Sequence, residues 1–201
     1  MFKLAVLASG RGSNFQSIVE KIEAGQVPAA VEILVSDQPG ARALDLANAH
    51  GIDTAVVKRE DFPTNKAHNE AIVEILKPRN IDLVILAGYM RIVKAPLLEA
   101  YPHRIVNIHP ALLPAFPGLD AQKQALDYGV RVSGCTVHFV DAGVDTGPII
   151  LQAVVPVEQD DSVETLSARI LKEEHKLLPR AITLIAQGKV AVQGRKVWIQ
   201  S

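Results

Sequence analysis

Asn107 and His109 stand two positions apart at the end of the apolar run 104–109. If this run is a strand, alternation points both side chains to the same side. An amide can donate a hydrogen bond to an oxyanion, and an imidazole can donate or move a proton, so the pair could act on one reacting atom. The competing interpretation is a histidine at a strand end that is satisfied by backbone, and the spacing alone leaves both open.

A second candidate is the acidic, glycine-rich segment 141–148, which contains Asp141 and Asp145. Segments of this composition are usually turns, and they also suggest calcium weakly. A calcium loop needs more oxygen ligands at EF-hand spacing, and two glycines occupy positions where ligands would be required. We therefore interpret the segment as a loop from which one carboxylate orients His109.

Residues 9–14, Ser-Gly-Arg-Gly-Ser-Asn, follow the first apolar run. Glycines allow backbone N–H groups to approach a phosphate, and the helix that follows adds positive potential. The dinucleotide pattern G-x-G-x-x-G is incomplete because Phe15 takes its last position, and no acidic residue closes the next strand for a ribose because Ser36 comes first. The segment predicts phosphate binding, with a helix start capped by Ser13 or Asn14 as the alternative.

The remaining histidines give weaker signals. His50, His68 and His103 resemble surface or helix-end residues, whereas His138 lies in an apolar run near segment 141–148. We favour a buried, hydrogen-bonded structural role for His138, with a place in the site as the alternative. Because no H-E-x-x-H pair is present and Cys135 is the one cysteine, we expect no zinc site and no intramolecular disulfide.

Short apolar runs that alternate with amphipathic stretches must position these residues. Continuous apolar runs indicate strands of a parallel sheet that is covered by helices on both faces. Strands are predicted at 2–8, 31–35, 54–57, 83–87 and 104–109, and helices at 15–24, 41–49, 65–77 and 121–128. This repeated order predicts a doubly wound, Rossmann-like α/β fold with right-handed crossovers.

The pattern changes in the C-terminal part. Strands at 135–140 and 149–155 flank segment 141–148, which predicts an antiparallel or loop-connected pair. A long helix is predicted at 163–187, with a bend at Pro179, and a terminal strand or hairpin at 190–199. We therefore expect one domain over residues 1–201, with a mostly parallel sheet and an antiparallel C-terminal part.

The composition limits the classes of partner. A chain of 201 residues can bury a proper core, and an aromatic content of 4% with a net charge of −1 disfavours nucleic acid and anionic membranes as partners. No stretch reaches the roughly 18 apolar residues that a membrane span needs. We expect a cytoplasmic protein, a monomer or weak homodimer, that acts on small molecules.

Five motifs, taken in order, carry a resemblance. They are residues 8–14, 86–92, 107–114, 137–140 with 145–148, and 174–175. Together they resemble the folate-dependent glycinamide ribonucleotide formyltransferases, from residue 3 to residue 198. The resemblance implies transfer of a formyl group from 10-formyltetrahydrofolate to the amine of glycinamide ribonucleotide in purine biosynthesis, without a metal or a covalent intermediate.

The resemblance also implies a role for each matching residue. It implies a catalytic trio of Asn107, His109 and Asp145, and it places Glu174 near the substrate amine. The implied contacts to the substrate phosphate are Gly12, Ser13 and Asn14. The implied folate contacts are Lys66, Met90, Arg91, Ile92, Val93, Asn107, Val140, Asp141, Ala142, Gly143 and Val144. Residues 1–100 would then form the phosphate-binding half, and residues 101–201 the catalytic and folate-binding half.

The chain departs from the family pattern at four positions, which are Asn65, Ala111, Ala115 and Asp120. These bear on fine contacts to folate and phosphate and leave the trio intact. The resemblance extends to formyltetrahydrofolate hydrolase, the alternative function, and to methionyl-tRNA formyltransferase. Those two usually carry an additional domain, which we do not expect here. A phosphosugar-binding module without catalysis is disfavoured because the whole trio is present.

A charge relation within the trio leads to a further expectation. A free imidazole has a pKa of about 6.5, and a nearby carboxylate raises it. Asp145 beside His109 is therefore expected to favour a cationic imidazole. A charged His109 would stabilise the oxyanion and carry a proton to the leaving N10.

Overall fold

The strands are formed by the apolar runs that the sequence shows. The computed structural model describes residues 1–200. Its strands are β1 (Phe2–Leu7), β2 (Ala29–Ser36), β3 (Asp53–Val56), β4 (Leu83–Leu86), β5 (Ile105–His109), β6 (Val132–Phe139), β7 (Ile149–Pro156), β8 (Val190–Gln193) and β9 (Lys196–Ile199). The main sheet has the order β3-β2-β1-β4-β5-β6-β7, and β8 pairs with β9 in a separate hairpin.

Amphipathic segments between the strands form the helices. The helices are α1 (Ser13–Glu23), α2 (Arg42–Ala49), α3 (Asn65–Leu76), α4 (Ala95–Ala100), α5 (Ala121–Tyr128) and α6 (Val163–Ala186). Helix α6 begins with a capping box between Ser162 and Thr165, which satisfies backbone N–H groups of its first turn. Within residues 1–200, no helix is long and apolar enough to cross a membrane.

The chain forms two compact units, Met1–Asn107 and the part from Ile108 onward. In the first unit, β1 pairs in parallel with β2 and β4, β2 with β3, and β4 with β5. Strands β1 and β4 are almost wholly buried because side chains on both of their faces contact other elements. In the second unit, β6 and β7 are antiparallel, and α6 contacts both of them.

The predicted fold class, a mostly parallel α/β sheet with an antiparallel C-terminal part, is confirmed. Two differences have local causes. The sequence analysis missed α4, which has six residues with a proline in its first turn, too few to show a helical period. Strand β6 begins at Val132, three residues before the predicted start. The prediction began too late because Ser133 and Gly134 interrupt the apolar pattern.

Candidate active site

The second unit places one carboxylate against two buried imidazoles. His109, the last residue of β5, is 4% exposed, and its Nδ1 lies 3.3 Å from Asp145 Oδ2. Asp145 Oδ1 lies 3.5 Å from His138 Nε2. The backbone N–H of Gly118 donates to Asp145 Oδ2 at 2.8 Å. The structure therefore brings Asp145 to His109, as the sequence analysis expected.

A tight loop presents Asp145. The carboxylate of Asp141 accepts hydrogen bonds from Gly143 N at 3.0 Å and Thr146 Oγ1 at 2.6 Å. A Cβ at Gly143 would lie 2.1 Å from Thr146 Oγ1, and one at Gly147 would lie 1.8 Å from a backbone oxygen, so both positions need glycine. The glycines predicted to be unsuitable for calcium thus have a steric role in the turn.

The second ring nitrogen of His109 faces a backbone carbonyl. His109 Nε2 lies 2.8 Å from Phe116 O. A carbonyl oxygen is an acceptor only, so this contact requires the proton on Nε2. Nδ1 faces the Asp145 carboxylate, so both ring nitrogens of His109 lie against acceptors.

Burial reverses the expected direction of the His109 pKa shift. Burial lowers the pKa of His109, and it outweighs Asp145 and the Phe116 carbonyl, which raise it; His138 lowers it further. The net shift is therefore opposite in direction to the rise in pKa that the sequence predicted for His109. Asp145 does raise the pKa of His109, as predicted. Burial destabilises the charged ring by more than the carboxylate stabilises it, so the net shift is downward.

Asp145 itself is held in its ionised form. Burial raises its pKa, but hydrogen bonds from His138 and Gly118, together with the attraction of His109, outweigh burial and lower the pKa below its ordinary value. His138 is buried, and its Nδ1 lies 2.9 Å from Phe139 O. It therefore has the structural hydrogen bond that the sequence favoured and also faces the catalytic candidate Asp145.

In the first unit, residues 9–14 connect β1 to α1. Gly12 has φ +76°, and a Cβ there would lie 2.8 Å from Ala43 Cβ and 2.9 Å from Ala43 Cα. Gly12 therefore serves the close approach of α2 to the start of α1, in addition to any ligand. Ser13 and Asn14 are the first two residues of α1. The first turn of a helix presents backbone N–H groups that suit an anion.

The sequence analysis missed Asp37, which follows β2 directly and is 3% exposed. Its Oδ2 accepts hydrogen bonds from Arg91 Nε at 2.5 Å and Gln38 Nε2 at 3.1 Å. Burial raises the pKa of Asp37, but hydrogen bonds from Ser9, Arg91 and Gln38 lower it overall. The signal in the sequence was an acidic residue one position after Ser36, at the end of β2.

Three predicted folate residues, Met90, Ile92 and Val93, are close in sequence to Arg91 of this ion pair. Ser9 Oγ accepts a hydrogen bond from Met90 N at 2.8 Å. Met90 is 62% exposed, Ile92 is 49% exposed and Val93 is buried. Lys66 is on α3, with an exposed side chain and its Nζ 3.8 Å from Glu70 Oε1.

The other predicted residues have these positions. Asn107 is on β5 beside Leu86 of β4, and alternation along β5 points its side chain to the same side as His109. Residues 140–144 follow β6 directly, with Val144 exposed. Glu174 is buried on α6. Burial of the Cys135 thiol, and to a lesser extent the charge of Glu174, raises the pKa of Cys135 to about 12.

Two further observations concern His68 and the groups that could bind a metal. His68, predicted at the surface or at a helix end, lies in the first turn of α3 and is buried at 1% exposure, with its Nε2 2.8 Å from Val57 O. Within residues 1–200, no group of three or more His, Cys, Asp or Glu side chains is arranged to hold a metal ion.

Comparison with known proteins gives one family. Residues 2–182 match the formyl transferase family. The phosphoribosylglycinamide formyltransferase of Bacillus subtilis (strain 168) is 45% identical over 182 residues, which are 90% of this chain and 93% of that protein. The crystal structure of glycinamide ribonucleotide transformylase 1 from Symbiobacterium toebii has a TM-score of 0.99 at 50% identity, covering 100% of this chain and 95% of that chain.

Two further similarities are looser in extent or identity. The trifunctional purine biosynthetic protein adenosine-3 of Drosophila melanogaster is 43% identical over 192 residues, which are 94% of this chain but 14% of that protein. A formyltetrahydrofolate deformylase from Pseudomonas syringae pv. tomato has a TM-score of 0.93 at 24% identity, covering 66% of that chain. This last likeness shows a common fold alone.

Proposed function

This chain belongs to the formyl transferase family, and we propose that it transfers the formyl group of 10-formyltetrahydrofolate to the amine of glycinamide ribonucleotide. The product is formylglycinamide ribonucleotide, an intermediate of purine biosynthesis. The observation that carries this proposal is the Asp145–His109 pair at the carboxyl end of β5, two positions after Asn107. Relatives at 36–45% identity that bear the phosphoribosylglycinamide formyltransferase name support the same substrate.

The reaction proceeds by acyl transfer. The amine nitrogen attacks the formyl carbon, a tetrahedral oxyanion forms, and the bond from carbon to N10 breaks. Asn107 donates a hydrogen bond to the oxyanion, a contribution of roughly 3–4 kcal/mol for a well-placed donor. One proton must leave the attacking nitrogen, and one must reach N10.

His109 moves this proton. Because the pKa of His109 is lowered by burial, the imidazole is mainly neutral at pH 7 and can accept the proton of the attacking ammonium. Asp145, which is ionised, stabilises the imidazolium that results. The imidazolium then donates to N10, so the enzyme returns to its initial protonation state.

Both halves of the chain contribute ligand contacts in this proposal. Residues 12–14 at the start of α1 hold the phosphate. Residues 90–93 in the first unit and residues 140–144 in the second are each assigned contacts to the folate. Lys66 contacts the folate, and Glu174 lies near the substrate amine. We also propose one catalytic domain, with the phosphate-binding half in residues 1–100 and the catalytic half in residues 101–201.

The expected setting is the cytoplasm, with a monomer or weak homodimer that uses no metal. The net charge of −1 and the single cysteine support this part of the proposal. Size-exclusion chromatography with light scattering measures the oligomeric state. Activity after dialysis against a chelator tests the proposal that no metal is used. Loss of activity that added zinc restores would contradict this proposal.

The decisive experiment measures loss of 10-formyltetrahydrofolate with and without glycinamide ribonucleotide. We expect turnover that requires the ribonucleotide and yields its formylated product, and we expect His109→Ala to abolish most of it. Release of formate at the same rate without the ribonucleotide would instead indicate the deformylase activity. The substrate requirement therefore separates the two functions that this fold serves.

A further inference from the structure

Residues 88–94, which lie between β4 and α4 in the first unit, are tied to the residue that follows β1 and Ala8. The Ser9 N–H donates to Gly88 O at 3.1 Å, and Ser9 Oγ accepts from Met90 N at 2.8 Å. A single residue therefore fixes the backbone at the start of this segment at two points.

The far end of the same segment is tied to α3. Asn69 is buried, and its Oδ1 accepts from Lys94 N at 2.9 Å. Its Nδ2 donates at 2.8 Å to a backbone oxygen one turn earlier in α3, which fixes the orientation of the amide. The side chains of Met90 and Ile92 nevertheless remain exposed. The segment thus presents exposed side chains on a backbone that is hydrogen-bonded at both ends.

Asp37 adds an ion pair between these two attachments. Arg91 Nε donates to Asp37 Oδ2 at 2.5 Å, and the Asp37 side chain is 1% exposed whereas that of Arg91 is 38% exposed. Gln38 Nε2 donates to the same Oδ2 at 3.1 Å and helps to fix the carboxylate. Because a guanidinium is a rigid planar fork of donors, the bond to Nε restricts the directions in which the other N–H groups of Arg91 can point.

Asp37 also acts on the backbone of Met90, through Ser9. Burial raises the pKa of Asp37, but hydrogen bonds from the side chains of Ser9, Arg91 and Gln38 outweigh burial and lower the pKa, so Asp37 is ionised at neutral pH. A hydroxyl has one proton to donate. Since the Ser9 proton is directed to Asp37, the lone pairs of Ser9 Oγ are available to the Met90 N–H.

We propose that Asp37 is a positioning residue for the folate, because it holds the Arg91 side chain directly and the Met90 backbone through Ser9. Asp37 itself touches no ligand in this role. The inference rests on the proposed function for the identity of the ligand, since residues 90–93 are assigned to the folate there. Removal of the Asp37 charge should therefore weaken folate binding and leave the other substrate and the chemical step nearly unaffected.

A binding measurement with tetrahydrofolate tests this role. Tetrahydrofolate is the folate product of the proposed reaction and has no formyl group to transfer, so calorimetric titration of the full chain gives its Kd without turnover. Asp37→Asn keeps the size of the side chain and removes its charge. We expect its Kd for tetrahydrofolate to rise about tenfold, because Arg91 and Met90 are no longer held in the binding conformation. An unchanged Kd would overturn the proposal.

Steady-state kinetics separate positioning from damage to the fold. In Asp37→Asn the KM for 10-formyltetrahydrofolate should rise with the Kd, while kcat and the KM for the ribonucleotide should stay within about twofold of the wild type. Equal losses in all three parameters would indicate a structural role and would contradict the proposal.

Asp53→Asn is the matched control. Asp53 lies on β3 in the same unit and pairs with Arg79 at 3.5 Å, with a side chain that is 71% exposed. The substitution removes the same charge from a surface ion pair, so the Kd for tetrahydrofolate should not change. An equal rise in both variants would mean that net charge, and not the position of Asp37, controls binding.

A double-mutant cycle asks whether Asp37 acts through Arg91. Arg91→Met removes the guanidinium and keeps most of the length of the side chain. Residues that act through one another give non-additive effects, so Asp37→Asn should raise the Kd less in the Arg91→Met background than it does alone. Effects that multiply in full would contradict action through Arg91.

Ser9 keeps the test informative if Asp37→Asn does not fold. Ser9→Ala removes the link between Asp37 and Met90 and should raise the Kd for tetrahydrofolate about threefold, whereas Ser9→Thr keeps the hydroxyl and should restore most of the affinity. Equal Kd values for Ser9→Ala and the wild type would contradict this link. The two proposals fail separately, because a wild type that binds tetrahydrofolate but transfers no formyl group to the ribonucleotide would contradict the proposed function alone.

Discussion

Asp145 Oδ2 lies 3.3 Å from His109 Nδ1, and yet the pKa of His109 is below its ordinary value. The carboxylate raises this pKa, but burial of the ring lowers it by more. Asp145 therefore does not make His109 a permanent cation. Asp145 stabilises the imidazolium when it forms during the reaction. A group that accepts one proton and then donates it needs such stabilisation.

The first prediction concerns Asp145→Asn. Loss of the negative charge removes an upward influence, so the pKa of His109 should fall further below its wild-type value, and kcat should fall severely because the imidazolium is no longer stabilised. Asparagine tolerates the left-handed conformation of this position, φ +54°, so the change tests charge rather than backbone strain. NMR titration of the His109 ring measures the shift, and the affinity for the ribonucleotide should change little.

Asp120→Asn is the matched control for that titration. Asp120 is an exposed residue with the same left-handed conformation, φ +56°, so its substitution changes charge by the same amount. The His109 pKa should stay at its wild-type value in this variant. If Asp145→Asn leaves the pKa of His109 unchanged as well, the two residues do not interact electrostatically, and Asp141 becomes the carboxylate to test.

The second prediction separates the two residues at the end of β5. Asn107→Ala should lower kcat by roughly 10²–10³ if the amide donates to the oxyanion. His109→Ala should lower kcat while both ligands still bind, because its role arises in the transition state. Steady-state kinetics with each substrate varied, together with direct binding measurements, provide the comparison. Near-normal turnover in either variant would remove that residue from the mechanism.

Most of the fold could be predicted because its signals are local. The continuous apolar runs of β1 and β4 and the helical spacing of α1 and α6 each lie within a short window of sequence. The antiparallel pairing of β6 and β7 was also foreseen, since one short segment joins them. What failed was α4, whose six residues are too few to show a period.

The site was predictable only in part, because its remaining features depend on distant residues. The sequence can indicate that Asp145 and His109 are chemically suited to one another. It cannot indicate that Phe116 O faces the other ring nitrogen or that burial outweighs the carboxylate, since both depend on how residues 110–119 pack. The Asp37–Arg91 ion pair joins residues 54 positions apart in sequence and was missed for the same reason.

The third prediction concerns Gly12. A larger residue at Gly12 would not test phosphate binding alone, because a Cβ at this position would lie 2.8 Å from Ala43 Cβ, and φ is +76°. Even Gly12→Ala should therefore lower the free energy of unfolding, by roughly 1–2 kcal/mol for the backbone conformation alone. Denaturant titration measures this loss. Gly10→Ala is the control, because a Cβ there would meet no heavy atom within 4 Å among residues 1–200, and it should stay within about 0.5 kcal/mol of the wild type.

The last prediction concerns pH. Because the folded pKa of His109 lies below the unfolded value of about 6.5, the unfolded chain binds more protons between those two pKa values. The contribution of His109 to stability is therefore complete above pH of about 6.5 and is lost as the pH falls towards the folded pKa. The same protonation removes the base, so kcat/KM should decline on the acid side with the folded pKa of His109.

Two measurements check that prediction with one pair of proteins. The acid limb of the kcat/KM profile should move to lower pH in Asp145→Asn, because removal of the carboxylate lowers the pKa of His109 further, even though the maximum rate is reduced. The free energy of unfolding of His109→Gln should depend less on pH near 6 than that of the wild type. An acid limb that moves to higher pH in Asp145→Asn would mean that a group other than His109 controls the rate, since a lost negative charge cannot raise the pKa of a neighbouring imidazole.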